Sequence, residues 1–355
     1  MKFDFFQERT PPLIGVDISS TAVKMVELSG SVGAYQLENY SIAPLVKDSV
    51  VDGHIASLEQ VGVVLSRAWK LLGTRERRVA LALPTTEVIS KKVLMQAGLR
   101  EHEMELQVET EASQYIPFAL DDVNIDFQVL GPAPGDPSDV EVMIAASRKD
   151  NIEDRVGVVE EAGLKVVIMD VETYATEAAY ELASNQLANG GRGQTVLIVD
   201  IGAVKMRVSA LHDNQFIYSR EQTFGGYQLT QEIQRQYGLT FENAEISKRK
   251  GDLPDGYKTA VLEPFKQSLV LEVARALQLF VSSSQYNKAD HIMLAGGCAA
   301  IPGVDVAVAE RTRVNTVVAN PFVNMSVSSR VKQKNLAADA PSLMIACGLA
   351  LRRFD

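Results

Sequence analysis

A chain of 355 residues is long enough for about two domains, or for one α/β domain with a large insertion; with 46% hydrophobic and 23% charged residues it is not disordered, collagenous or coiled-coil. Lys+Arg 35 against Asp+Glu 45 leaves a net charge of -10, which opposes broad attraction to nucleic acid or to anionic lipid, so neither is an expected partner. Two cysteines, Cys298 and Cys347, and four scattered histidines build neither a disulfide framework nor a Cys-rich zinc site and suit a reducing compartment.

In chain order, Met1 to Arg9 is broken by charge and shows no apolar stretch of signal-peptide length, so the expected location is cytoplasmic. Period-2 runs at Leu13 to Ile18 and Ala22 to Leu28 predict a hairpin, followed by a helix from about His54 to Leu72 with Ile55, Leu58, Val61, Leu65 and Leu72 on its apolar face. From Val79 to about Val166 the pattern is β-β-α-β-β-α-β, with strands at Val79 to Leu83, Val88 to Leu94, Val123 to Leu130 and Val140 to Ala145 and helices at Glu101 to Tyr115 and Lys149 to Ala162, a candidate inserted subdomain. Gly131-Pro-Ala-Pro-Gly-Asp-Pro is a loop by composition, and Asn189-Gly-Gly-Arg-Gly, after a helix at Thr173 to Leu187, links two halves. Val261 to Val281 carries Glu263, Lys266, Glu272 and Arg275 and so predicts a long, mostly buried helix and not a membrane span.

The second half restarts with strands. A shift of 183 residues lays Val16-Asp17-Ile18-Ser19-Ser20 on Val199-Asp200-Ile201-Gly202-Ala203, then Lys24 on Arg207 and Leu28 on Leu211, which points to a duplicated α/β fold. In each copy an Asp at the end of an apolar strand, followed by small residues, sets a carboxylate and free backbone N–H groups at the mouth of a turn, a combination suited to a magnesium-bound polyphosphate. Either turn alone reads first as an ordinary hairpin turn, where Asp and Ser are common. Three further segments complete a pattern: Phe224-Gly-Gly-Tyr opening a helix, Glu245 and Lys248 one turn apart on a helix face, and Ile292-Met-Leu-Ala-Gly-Gly-Cys, a strand running into a Gly-Gly turn and a helix.

The order of these pieces resembles the nucleotide site of the actin, Hsp70 and sugar-kinase superfamily, with Glu172 to Tyr180 similar to its first connecting helix and Pro341 to Leu351 to its second. Ile14-Gly-Val-Asp-Ile-Ser-Ser-Thr-Ala-Val-Lys, Gln114-Tyr-Ile-Pro-Phe, Gly225-Gly-Tyr-Gln-Leu-Thr-Gln-Glu-Ile-Gln-Arg-Gln-Tyr-Gly-Leu and Ala340-Pro-Ser-Leu-Met-Ile-Ala-Cys-Gly-Leu-Ala-Leu-Arg resemble the PilM family, the actin-like, FtsA-related proteins of the type IV pilus assembly platform. The resemblance implies a duplicated two-lobed actin/Hsp70-like (ribonuclease H-like) ATPase fold: subdomain 1A at 1–78, completed by 167–190 and 341–355; an FtsA-type 1C insertion at 79–166; 2A at 191–224 and 288–340; and 2B at 225–287.

The cofactors it implies are ATP and magnesium. Asp17 and Asp200 hold the metal through water; Ser19, Ser20, Thr21, Gly202 and Ala203 contact the phosphates, and Lys24 matches a phosphate-contacting lysine of actin. Glu245 and Lys248 meet the ribose and adenine, Gly225, Gly226, Gly296 and Gly297 approach by backbone, Cys298 lies near the adenosine, and Glu172 matches the residue that orients attacking water in hydrolysing members. The second phosphate turn departs from the family, with Val204-Lys205-Met206 where hydroxyl residues are usual. Hydrolysis is therefore expected to be slow at most, with Lys205 a candidate substitute contact.

The function implied is an ATP-binding interaction protein that takes the cytoplasmic N-terminal tail of PilN and so sits at the inner membrane through a partner. PilB, PilC and self-association stay open. The alternatives are an FtsA-like division protein and a small-molecule kinase. FtsA ends in a linker and a basic amphipathic helix, whereas here the second connecting helix is expected to run almost directly into Arg352-Arg-Phe-Asp, and no segment of the first half is assignable as a kinase base.

Overall fold

A computed structural model describes residues 12–133 and 135–354. Met1 to Arg9, read above for targeting signals, and Asp355 lie outside the described residues. The first half begins with a three-stranded meander, β1 (Ile14–Ile18), β2 (Ala22–Ser31) and β3 (Ala34–Pro44), then the short pair β4 (Val50–Val51) and β5 (His54–Ile55), helix α1 (Leu58–Leu72) and strand β6 (Arg78–Leu83). It continues through β7 (Val88–Gln96), α2 (Glu101–Ala112), β8 (Val123–Ala133), β9 (Asp136–Arg148), α3 (Lys149–Glu161), β10 (Lys165–Val171) and α4 (Glu172–Ala183). The second half repeats the plan with β11 (Thr195–Ile201), β12 (Met206–His212), β13 (Gln215–Gln222), α5 (Gly226–Tyr237), α6 (Phe241–Lys250), α7 (Glu263–Ser283), β14 (His291–Ala295), α8 (Val304–Thr312) and β15 (Asn315–Val318). The strand β16 (Ser326–Val327) and helices α9 (Gln333–Asp339) and α10 (Met344–Leu351) follow.

The duplication is explicit in the sheets. One runs β10-β6-β1-β2-β3-β16 and the other β13-β12-β11-β14-β15, so that each half builds the same five-strand order from an antiparallel meander and two parallel additions. The central strands β1 and β14 are buried along their whole length, as strands covered on both faces must be. Between the lobes, α10 lies on both β1 and α4. A Cβ on Gly15 would stand 2.0 Å from the Ala346 carbonyl oxygen, and one on Gly348 would stand 1.7 Å from that of Ala175, so only glycine permits these backbones to meet. Val26 and Leu28 of the first sheet and Ile198 and Met293 of the second join residues of α4 and α10 in one core.

Several boundaries differ from the expectations. β6 pairs with β1 inside the main sheet and α3 packs on α1, so the expected 79–166 insertion contracts to β7 through β9. There a separate sheet, ordered β7-β9-β8, packs Val142 and Ile144 against Met104 and Val108 of α2. β16 pairs with β3, so the return to the first lobe comes before 341. The helix expected from His54 begins at Leu58, because His54 and Ile55 pair with Val50 and Val51 while the Ala56 and Ser57 N–H groups donate to the Ser49 carbonyl. In the stretch expected as a loop at 131–137, β8 runs to Ala133 and β9 starts at Asp136. Helix α7 is buried on one side only, with Leu271 53% exposed, which corrects the mostly buried reading of 261–281. After Gly296-Gly297 the chain makes a short 3-10 turn, and its helix, α8, begins only at Val304. No helix among the described residues is long and apolar enough to cross a membrane.

Candidate functional site

The two repeated turns face each other across a cleft of about 670 Å³. Each closes an antiparallel hairpin: the Ser19 N–H and hydroxyl both donate to the Ala22 carbonyl, and the Gly202 N–H donates to that of Lys205. The hairpin register places Lys24 directly opposite Asp17 and Arg207 directly opposite Asp200. Antiparallel pairing thus turns a seven-residue spacing into a base beside an acid, twice over.

The chemistry of the two pairs then diverges. Lys24 Nζ donates to Asp17 Oδ2 at 2.9 Å, with Asp17 only 3% exposed. Burial pulls the Lys24 ammonium down, but the Asp17 carboxylate, helped by Asp200 and Glu172, outweighs it and holds its pKa above the ordinary lysine value. Arg207 instead reaches over the cleft: Nη2 donates to Glu172 Oε2 at 2.5 Å and Nε to Glu221 Oε1 at 3.0 Å. Asp200 makes no salt bridge among the described residues, and burial pushes its carboxyl up, with Arg207 and Lys24 pulling back. Glu172 is the first residue of α4, where the helix dipole favours a carboxylate. Burial still raises its pKa, and Arg207 opposes the rise.

Two glycine cradles line the other half of the cleft. Gly296, at φ +83°, leaves no room for a side chain, since a Cβ would stand 2.4 Å from Asp200 Oδ1, and its N–H donates to the Pro341 carbonyl. The Gly226 and Tyr227 N–H groups at the start of α5 donate to the Gly202 and Ala203 carbonyls, locking that helix onto the second turn. Gly225 is behind this wall, its own missing Cβ 2.4 Å from the Ala203 oxygen, so it packs the turn and does not face the cleft as expected. Lys248 Nζ donates to Thr230 Oγ1 at 2.7 Å, and Glu245 pairs with both Thr230 and Lys248, which ties α6 to α5 at the cleft wall. The Cys298 thiol, 3.6 Å from the Gly202 carbonyl, is pushed up to about 12 by burial and stays protonated.

Apart from Gly225, every residue expected at the site borders the cleft: Asp17, Ser19, Ser20, Thr21, Lys24, Glu172, Asp200, Gly202, Ala203, Gly226, Glu245, Lys248, Gly296, Gly297 and Cys298. Lys205, the candidate substitute contact, also borders it, as do Asp52, Arg207 and Glu221, which were not assigned from sequence. Arg207 had a signal, since the 183-residue shift lays Lys24 on it; Asp52 and Glu221 had none. Arg155 of α3 is 3% exposed beneath the cleft, its Nη2 donating to the Gly53 carbonyl at 2.5 Å. Burial lowers its pKa against the pull of Glu172, Glu87 and Asp17.

The residues fit a magnesium nucleotide. No cluster of three or more His, Cys, Asp or Glu able to hold a metal occurs among the described residues. Magnesium characteristically takes one or two carboxylates and draws its other ligands from phosphate and water, which is what Asp17 and Asp200 on opposed turns offer. Gly226 and Gly296 beside them let the backbone of the cleft wall close onto Cys298 and onto Asp200 and Ile201, where a side chain would collide.

Comparison with known proteins agrees with this architecture. The family described as "Type IV pilus assembly protein PilM" matches residues 15–354. A chain of the solved "PilM-PilN type IV pilus biogenesis complex" superposes with a TM-score of 0.77 and 27% identity, over 97% of this chain and 98% of that one. The ethanolamine utilization protein EutJ from Carboxydothermus hydrogenoformans has a TM-score of 0.55 and 16% identity over 97% and 90% of the two chains. Nucleotide-free diol dehydratase-reactivating factor has 0.53 and 10% over 96% and 99%. These last two share the fold alone. With the actin-like two-lobed fold in place and the family match running nearly from end to end, the chain belongs to the PilM family of type IV pilus assembly proteins.

Proposed function

We propose that the protein binds Mg-ATP between its lobes and, in the closed form, takes the cytoplasmic N-terminal tail of PilN, linking an inner-membrane partner to the pilus assembly machinery. The observation that carries the nucleotide half is the opposed pair of carboxylates, buried Asp17 and half-buried Asp200, on turns related by the internal repeat. The bound ion would neutralise phosphate charge and hold the two turns together. Lys24 holds Asp17 in place through its 2.9 Å ion pair, while Ser19, Ser20 and Thr21 offer hydroxyl and backbone donors from the same turn.

Turnover is slow, far below the median enzyme rate of about 10 per second. Two features support this: Glu172 is engaged by Arg207 and not free toward water, and Val204-Lys205 replaces hydroxyl residues in the second turn. The PilN half is supported by the solved PilM-PilN relative and by the inserted sheet. Its edge strands β7 and β8 expose Leu94, Val129 and Leu130 along with unpaired backbone, the combination that an extended apolar tail docks on as an added strand. In this reading the tail would lie between this sheet and the core of the first lobe.

Calorimetry tests the reading. A synthetic PilN tail should bind the wild-type protein better with Mg-ATP than without, and Asp17→Ala or Asp200→Ala should remove ATP binding together with that enhancement. Unchanged ATP affinity in both variants, or no binding of the tail under either condition, would show the proposal to be wrong.

A further inference from the structure

Five charged side chains alternate in sign across the phosphate end of the cleft. Asp52 Oδ1 is 3.8 Å from Lys205 Nζ, Lys205 Nζ 3.5 Å from Glu221 Oε2, Arg207 Nε 3.0 Å from Glu221 Oε1, and Arg207 Nη2 2.5 Å from Glu172 Oε2. The two ends, Asp52 in the β4–β5 turn and Glu172 at the start of α4, belong to the first half of the chain; the middle three stand on β12, its preceding turn and β13 of the second lobe. This ladder therefore ties the lobes together at the same mouth that borders Asp17 and Asp200.

The rungs are unequal. Asp52 and Lys205 are 70% and 35% exposed in their side chains, and such a pair contributes little in water. Arg207 and Glu172 are 15% and 14% exposed, where a charge without its partner is costly. Arg207 also occupies the repeat position of Lys24, opposite the second Asp as Lys24 is opposite the first, but its fork of donors is turned to a carboxylate of the other lobe. A terminal phosphate offers a guanidinium the same bidentate pair of acceptor oxygens as a carboxylate does, with more charge.

We propose that Arg207 reads the terminal phosphate of the nucleotide and that the Glu172 carboxylate competes with that phosphate for it, so that this one pair sets the preference for ATP over ADP. The inference rests on the nucleotide reading above and adds a residue and a direction to it. Glu172 is then a brake on ATP binding: a triphosphate must win Arg207 from it, and a diphosphate, lacking the terminal group, leaves the pair intact.

ATP and ADP dissociation constants from calorimetry, in magnesium, decide the matter on wild type, Arg207→Gln, Glu172→Gln and the double variant. Arg207→Gln should weaken ATP by about tenfold or more while changing ADP by less than about threefold, in line with losing a hydrogen bond between charged groups. Glu172→Gln, near-isosteric and expected to fold, should tighten ATP several-fold and leave ADP alone, and this gain should vanish in the Arg207→Gln background. An ATP-to-ADP affinity ratio that stays at the wild-type value in both single variants, or a Glu172→Gln protein that binds ATP more weakly, overturns the inference. If wild type binds neither nucleotide, it is the nucleotide reading itself that fails.

Discussion

The two hairpin turns share a register, an acid and an opposed base, yet they hold their charges differently. In the first, Lys24 and Asp17 form a closed local pair at 2.9 Å. In the second, Arg207 turns from Asp200 to Glu172 of the other lobe and to Glu221, and half-buried Asp200 makes no salt bridge among the described residues. A duplicated scaffold therefore carries one turn whose charge is settled within the lobe and one whose charge is shared between its own lobe, through Glu221, and the other, through Glu172. The first turn can hold its shape alone. The second depends on where the opposite lobe stands, and this is how a repeated motif becomes sensitive to closure.

The largest effect expected from breaking this asymmetry is at Asp17. Asp17→Asn leaves the Lys24 ammonium with no partner in a nearly enclosed place and should cost about 3 kcal/mol of unfolding free energy in denaturant titration. Because the folded pKa of Lys24 is raised above 10.5, its pairing contribution is complete at neutral pH and is lost only in alkali, as pH climbs through the folded value. The cost of Asp17→Asn should accordingly be constant from about pH 6 to 9.

Asp200→Asn should do the opposite by a smaller amount. A carboxyl whose folded pKa is raised binds its proton more tightly in the native state, so stability falls as pH rises from the unfolded value of about 4 through the folded one, and the penalty persists above it. The amide escapes that penalty. Ligand-free Asp200→Asn should gain about 1 kcal/mol at pH 7, read as a melting temperature higher by about 2 °C, with the difference shrinking toward pH 4. Equal destabilisation by Asp17→Asn and Asp200→Asn would mean that the two turns are electrostatically alike after all.

The smallest effect belongs to Lys205→Ala. Its partners Asp52 and Glu221 are 3.8 and 3.5 Å away and its side chain is 35% exposed, so thermal unfolding should change by no more than about 0.5 kcal/mol. A larger loss would shift weight from Arg207 to the outer rung of the ladder.

Both Asp turns, both Gly-Gly segments and the connecting helices were legible because each is written in adjacent residues. Asp followed by small residues after an apolar strand has few other uses, and a Gly such as Gly296 is fixed by the atoms beside it. What the sequence hid depends on pairing at a distance. β3 mixes Tyr35, Gln36, Glu38, Asn39 and Tyr40 along a half-buried strand, with no clean alternation to mark it. β6 reads as a strand, but only its parallel pairing with β1 shows that it belongs to the main sheet and not to the insertion. Arg207 was aligned with Lys24 and still gave no hint of its partner, because Glu172 lies 35 positions earlier and meets it only after both lobes have folded.

The contact between Gly348 and Ala175 has a mechanical consequence. Helices whose backbones already touch form a bearing with no clearance: they can turn about the point of contact but cannot draw apart or slide without opening a void where a methyl group has never been. Since α10 bears equally on β1 through Gly15, the strand that ends in Asp17 is mounted on the same spindle. An opening that keeps both contacts is then a rotation about a fixed axle, and a few degrees at that axle become ångströms at the rim of the jaws.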